Sequence, residues 1–78
     1  MVLGLATATL AVTKGEFSNM CTEGLALGKD VQTDCSVNAT MKGKTYCFGS
    51  EAAKAEFMKD PEGNLAKAQA YYSKKHSG

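Results

Sequence analysis

The sequence predicts a small α+β domain in which an antiparallel hairpin packs against two C-terminal helices. Three observations predict it. Apolar and polar residues alternate from Val31 to Thr40, β-forming residues return from Lys44 to Phe48, and Lys42-Gly43 lies between the two runs. A helical period takes over downstream, with Leu65, Ala68 and Tyr72 at i, i+3 and i+7. The length of 78 residues, with 44% apolar and 22% charged, fits one domain, since domains hold roughly 50 to 250 residues.

Charge narrows the partners. Nine lysines and no arginine stand against eight acids, a net charge of +1, which gives no basic field for gripping a phosphate backbone and makes nucleic acid an unsuitable partner. A chain this short is near the size, below about 70 to 80 residues, at which a disulfide, a metal or oligomerisation supplements the core. Its three cysteines therefore require an explanation.

The first twelve residues, Met-Val-Leu-Gly-Leu-Ala-Thr-Ala-Thr-Leu-Ala-Val, carry no charge. They are too few for the ~20 apolar residues of a membrane span. With Ala6-Thr7-Ala8 as a small-x-small site they resemble the apolar end of an export signal without its basic beginning, a truncated or re-engineered remnant. The alternative is an ordinary apolar strand or helix packed on the core. Export would place the domain in the periplasm or another oxidising space where a disulfide persists. Residues 1–16 are read as this remnant or extension, with Lys14 to Asn19 as a connector, and residues 17–78 as the domain.

Within the domain, Met20 to Gly28 has glycines at both ends of a short apolar run and reads as a loop or tight bend, with Gly24 and Gly28 as candidates for positive φ. The alternation over residues 31–40 reads as a half-buried strand that Asp34 can break in two. Residues 37–48 form a hairpin whose turn conformation Gly43 supplies. Ser50 caps a helix over residues 50–59, with Glu51 in its first turn and Ala53 and Phe57 on one face. Asp60-Pro61 ends that helix and opens the next, which runs to about Lys74. Lys74, Lys75 and His76 complement its C-terminal dipole. Tyr46, Phe48, Phe57, Tyr71 and Tyr72 read as core aromatics, because no basic patch is interleaved with them.

From Lys42 to Glu62 the chain reads Lys-Gly-Lys-Thr-Tyr-Cys-Phe-Gly-Ser-Glu-Ala-Ala-Lys-Ala-Glu-Phe-Met-Lys-Asp-Pro-Glu. This resembles the YHS domain family, a relative of the TRASH metal-binding domains: a Gly-Lys-x-Tyr-x-Phe strand, a Ser-Glu helix start, a Lys-x-x-Phe helix face and an Asp-Pro-Glu junction. The likeness covers about Cys21 to Tyr72. It implies a small α+β metal-associated module, often tied to copper or other heavy-metal handling. Metal-binding members carry two cysteines at the helix start, where this chain has Gly49 and Ala53. In their stead stand Cys47, Cys35 and Cys21.

Thiolates bind soft metals, so Cys21, Cys35 and Cys47 are the candidate ligands, for Cu(I) as a trigonal set or for zinc with Asp34 or His76 as a fourth. Met20 could add a thioether, although a core Met filling a gap is the simpler reading. Thirteen residues separate Cys21 from Cys35 and eleven separate Cys35 from Cys47, so no Cys-x-x-Cys pair supports a metal site. A disulfide, most naturally Cys35 with Cys47 on neighbouring strands, and three free buried thiols stand as alternatives. Catalysis lacks its parts: there is one histidine, no Ser-His-Asp set, no phosphate-cradling loop and no evident pairing among Asp30, Asp34, Glu51 and Glu56. The expectation is a non-enzymatic, exported, copper-binding domain, with zinc as the second metal and a homo-oligomer or a larger metal-handling protein as partner. The competing expectation is a disulfide-stabilised interaction module without metal.

Overall fold

A computed structural model describes residues 13–76 of the chain; the apolar segment read as a signal remnant, residues 1–12, lies outside the described residues. Among the described residues the elements are a 3-10 turn (Phe17–Asn19), α1 (Thr22–Ala26), β1 (Val37–Met41), β2 (Lys44–Phe48), α2 (Glu51–Phe57) and α3 (Pro61–His76). An antiparallel hairpin with helices is the small α+β fold that the sequence predicts.

The hairpin is set by its turn. Lys42 and Gly43 have φ of 52° and 80°, and two successive positive φ values give a two-residue turn whose twist matches the strands it joins. The register follows: Met41 faces Lys44, and Val37 faces Phe48. Tyr46, Cys47 and Phe48 are all buried, which the two-residue period explains only if both faces of β2 are covered. On one face Tyr46 and Phe48 join Cys21 and Phe57 in a cluster. On the other, Cys47 is joined to Cys35 by a disulfide, and Gly15 lies against both sulfurs.

The strand expected from Val31 begins only at Val37. Cys35 has a φ of 62°, a left-handed conformation that a strand does not accommodate. Local bonds fix it there: the Cys35 N–H donates to Thr33 Oγ1 at 3.0 Å, and Asn38 Nδ2 donates to the Cys35 carbonyl at 2.7 Å. The Ser36 N–H donates to Asp34 Oδ1 at 2.9 Å, a local turn that competes with strand pairing. That bond holds the Asp34 carboxyl below its ordinary range.

Helices α2 and α3 follow their sequence signals. Ser50 Oγ accepts from the Ala53 N–H at 3.1 Å, and Asp60 Oδ1 accepts from the Gly63 N–H at 3.2 Å; both satisfy free donors at helix starts. Asn64 Nδ2 donates to the Phe57 carbonyl at 3.1 Å, tying α3 to the end of α2. Phe57 is fully buried, 5.1 Å from Phe48 between ring centroids. Ala68 is buried with Met20 and Leu25, and Tyr71 and Tyr72 pack at the edge of that cluster. His76 closes α3 with its Nε2 3.2 Å from Asp30 Oδ2 and its ring stacked on Tyr72.

Two further segments depart from expectation. Met20 to Gly28 contains α1, a short helix, where a loop was predicted; Gly28 has positive φ, at 78°, and Gly24 does not. The expected connector is integrated into the domain. Glu16 N–H donates to the Thr45 carbonyl at 2.8 Å, and Gly15 N–H donates to Asn19 Oδ1 at 2.6 Å. Phe17, Ser18 and Asn19 all take left-handed φ of 55° to 65°, a conformation costing roughly 1–2 kcal/mol per residue. Phe17 offsets this by packing between Tyr46 and Tyr72, at 6.0 and 5.1 Å.

Candidate functional site

Cys21 organises the site. Its side chain caps α1, with Sγ accepting from the Gly24 N–H at 3.4 Å, and its own N–H donates to the Val31 carbonyl at 2.8 Å. The second bond draws the chain after α1 back across the helix start. The Lys29 N–H, bonded to the Gly24 carbonyl at 2.8 Å, closes the loop between them. Leu27 and Val31 thereby stand beside α1, facing the start of α2.

Between these segments lies a cleft of about 470 Å³, walled by Cys21, Gly24, Leu27, Val31, Gly49 and Ala53. This is within the range of roughly 300–1,000 Å³ typical of ligand pockets. The wall is overwhelmingly apolar, and two of its large side chains face solvent, Leu27 at 63% exposure and Val31 at 39%. Exposed apolar groups gathered at a cavity make this the candidate interaction surface of the domain.

Two carboxylates also line the cleft, Glu23 from α1 and Glu56 from α2. Glu23 is 5% exposed, and its Oε1 is buried without a hydrogen-bond partner. Burial raises its carboxyl above the ordinary range, the neighbouring Glu56 charge adds to the rise, and Lys67 from α3 partly opposes it. Glu56 itself is solvent-facing and pairs with Lys59 at 3.0 Å.

The predicted metal ligands are divided between two environments. Cys35 and Cys47 are joined as a disulfide, so neither offers a thiolate, while Cys21 is a buried free thiol. Backbone pairing brings Cys21 beside Cys47, yet the Cys21 sulfur faces Gly49 and the Cys47 sulfur faces Gly15. Among the described residues no three His, Cys, Asp or Glu side chains are grouped as a metal site requires. Of the suggested auxiliaries, Met20 is in the core, His76 pairs with Asp30, and Asp34 is engaged by Ser36. No described helix is long and apolar enough to cross a membrane.

Glu23, Leu27 and Val31 were not singled out by the sequence as site residues. One signal was present: Glu23 is the lone carboxylate in the run from Met20 to Gly28, and a charge within an apolar segment that packs on a core must be buried, paired or functional. Compared with family models, curated proteins and solved structures, the chain finds no match in any of the three.

Proposed function

We propose that the domain is a disulfide-stabilised interaction module of an exported protein, and that the cleft between α1 and α2 receives a segment of a partner protein. The observation that carries this reading is the exposure of Leu27 and Val31 at the rim of an apolar cavity. The Cys35–Cys47 disulfide supports export, because such bonds persist in oxidising compartments. It also supplies the stabilisation that a core this small needs. Kinship with YHS domains belongs to the same proposal and rests on the Lys42 to Glu62 motif alone.

A partner is favoured over a second copy by shape. A two-fold interface needs a self-complementary patch, and a concave cleft needs a convex occupant. Away from the cleft, the one large apolar side chain exposed among the described residues is Met58, at 45%. Selection of binders from a displayed random-peptide library, followed by amide chemical-shift mapping, tests the proposal. Peptides whose binding shifts Gly24, Gly49 and Ala53 are the expected result. Selected peptides that map elsewhere, or concentration-dependent dimerisation that protects these amides, would contradict it.

We propose as a second function that the reduced protein binds Cu(I), supported by the backbone pairing of Cys21 with Cys47 and by the bond of Cys35 to Cys47 in the oxidised protein. Reduction would free the Cys35 and Cys47 thiols, and the Cys21 sulfur, which faces Gly49, would have to turn toward them to complete a donor set suited to Cu(I). Competition of reduced protein against a Cu(I) chelator, repeated with Cys21→Ser, decides it. One equivalent bound by wild type and weaker binding by the variant supports the copper site. Failure to compete, or equal competition by both, removes it.

A further inference from the structure

The cleft has a feature that an apolar docking surface does not require: a buried carboxylate with an oxygen left unsatisfied. We infer that the partner segment is basic, and that a lysine side chain enters the cleft with its alkyl stem along Leu27 and Val31 and its ammonium on Glu23. The inference rests on the docking proposal above and assigns the chemistry of its occupant.

Glu23 Oε1 is buried and lacks a partner, an arrangement that ordinarily costs free energy unless something satisfies it. Glu56 from α2 lines the same cleft, and its charge adds to the negative potential at Glu23. Lys67 from α3 is near enough to favour the ionised form of Glu23, but it forms no hydrogen bond to Oε1. Oε1 is closed to solvent in the free domain, so the carboxylate must turn into the cleft to meet an incoming ammonium, which would then supply both the donor and the opposite charge. The stem of a lysine is a chain of methylenes that packs along apolar surface while its head stays polar, and this cleft is lined by Leu27 and Val31 together with the carboxylate of Glu23. A neutral apolar side chain would fill the space and leave Oε1 unpaired. An acidic one would meet two like charges.

The test uses the intact chain with its disulfide formed, and three peptides: acetyl-Leu-Ala-Lys-Leu-amide and the same sequence with norleucine or glutamate in place of lysine. Binding is followed through the amides of Gly24, Gly49 and Ala53. The lysine peptide is expected to bind about tenfold more tightly than the norleucine peptide, as charge-assisted hydrogen bonds exceed apolar contact alone, and the glutamate peptide is expected not to bind. In Glu23→Gln the lysine advantage should fall to within about twofold while norleucine binding persists. A nuclear Overhauser contact between the lysine ε-methylene and the Glu23 γ-methylene in wild type gives a second reading that does not depend on the variant folding. Equal binding of the lysine and norleucine peptides, or no such contact, overturns the basic anchor and leaves the apolar docking site standing. Absence of binding by every peptide, with selected library peptides also mapping elsewhere, overturns both.

Discussion

Gly15 lies against the Cys47 sulfur so closely that no side chain fits between them: a Cβ at Gly15 would collide with Cys47 Sγ and approach both Cys35 Sγ and the Thr45 carbonyl to 3.1 Å. The chain before the 3-10 turn therefore covers the disulfide and seals the outer face of β2. The covering segment is held by the Glu16 to Thr45 bond, so the disulfide and the packing of this segment depend on one another.

Gly15→Ala should accordingly destabilise the fold by about 1–3 kcal/mol, the usual cost of overpacking a filled site. Chemical denaturation of the oxidised protein measures it. A variant as stable as wild type would show that the segment does not close on the disulfide.

Replacing both Cys35 and Cys47 by serine should cost about 2–4 kcal/mol from the lost cross-link. The two hydroxyls left in a site where both residues are fully buried add to that. For a domain this size the melting temperature should fall by roughly 10 °C or more. Reduction of wild type should produce a fall of the same sign. Equal melting of the oxidised protein and the double variant would contradict the structural role of the bond.

Phe57→Ala should cost about 3–5 kcal/mol. Phe57 is fully buried against Phe48 and is the anchor of α2 on the hairpin. In a domain with a total stability of about 5–15 kcal/mol, loss of cooperative melting is the expected outcome. A cooperatively melting variant close to wild type would show that α2 is held by other contacts.

The hairpin, α2 and α3 were legible because local chemistry and tertiary packing agree there: Lys42-Gly43 permits the turn, Ser50 caps α2, and Asp60-Pro61 separates the helices. The disulfide was one of three readings because spacing alone does not pair cysteines. Helix α1 was not legible, since it spans only Thr22–Ala26, includes Gly24 and is capped by a thiol rather than by a common capping residue. The alternation before Val37 was misleading because hydrogen bonds at Thr33, Asp34 and Asn38 bend the chain around Cys35. The cleft was invisible in sequence for a different reason: α1, the loop to Val31 and the start of α2 are brought together by tertiary contacts, among them the bond from Cys21 to Val31 and the packing of Cys21 and Val31 against Gly49.

Glu23 makes stability depend on pH. Burial raises its carboxyl above the ordinary 4.5, so the folded chain keeps this proton to higher pH than the unfolded chain does. In the window from that ordinary value up to the raised one, the folded state binds more protons, and stability falls as pH rises. Glu23→Gln removes this contribution. Denaturation midpoints measured from about pH 4 to pH 7 should show wild type losing stability relative to Glu23→Gln as pH rises. Parallel curves, or a relative gain by wild type, would contradict a buried and unsatisfied carboxylate in the free domain.

Docking in the cleft is tested by the affinity of a library-selected peptide for wild type and for Leu27→Ser/Val31→Ser, measured by fluorescence anisotropy with the disulfide intact. Both side chains are solvent-facing at the cleft, so the variant should melt near wild type, because exposed substitutions generally change stability by about 0.5 kcal/mol or less. Its peptide affinity should fall at least about tenfold, as loss of apolar contacts does at other interfaces. Unchanged affinity in a folded variant would show that the cleft is not where the partner binds.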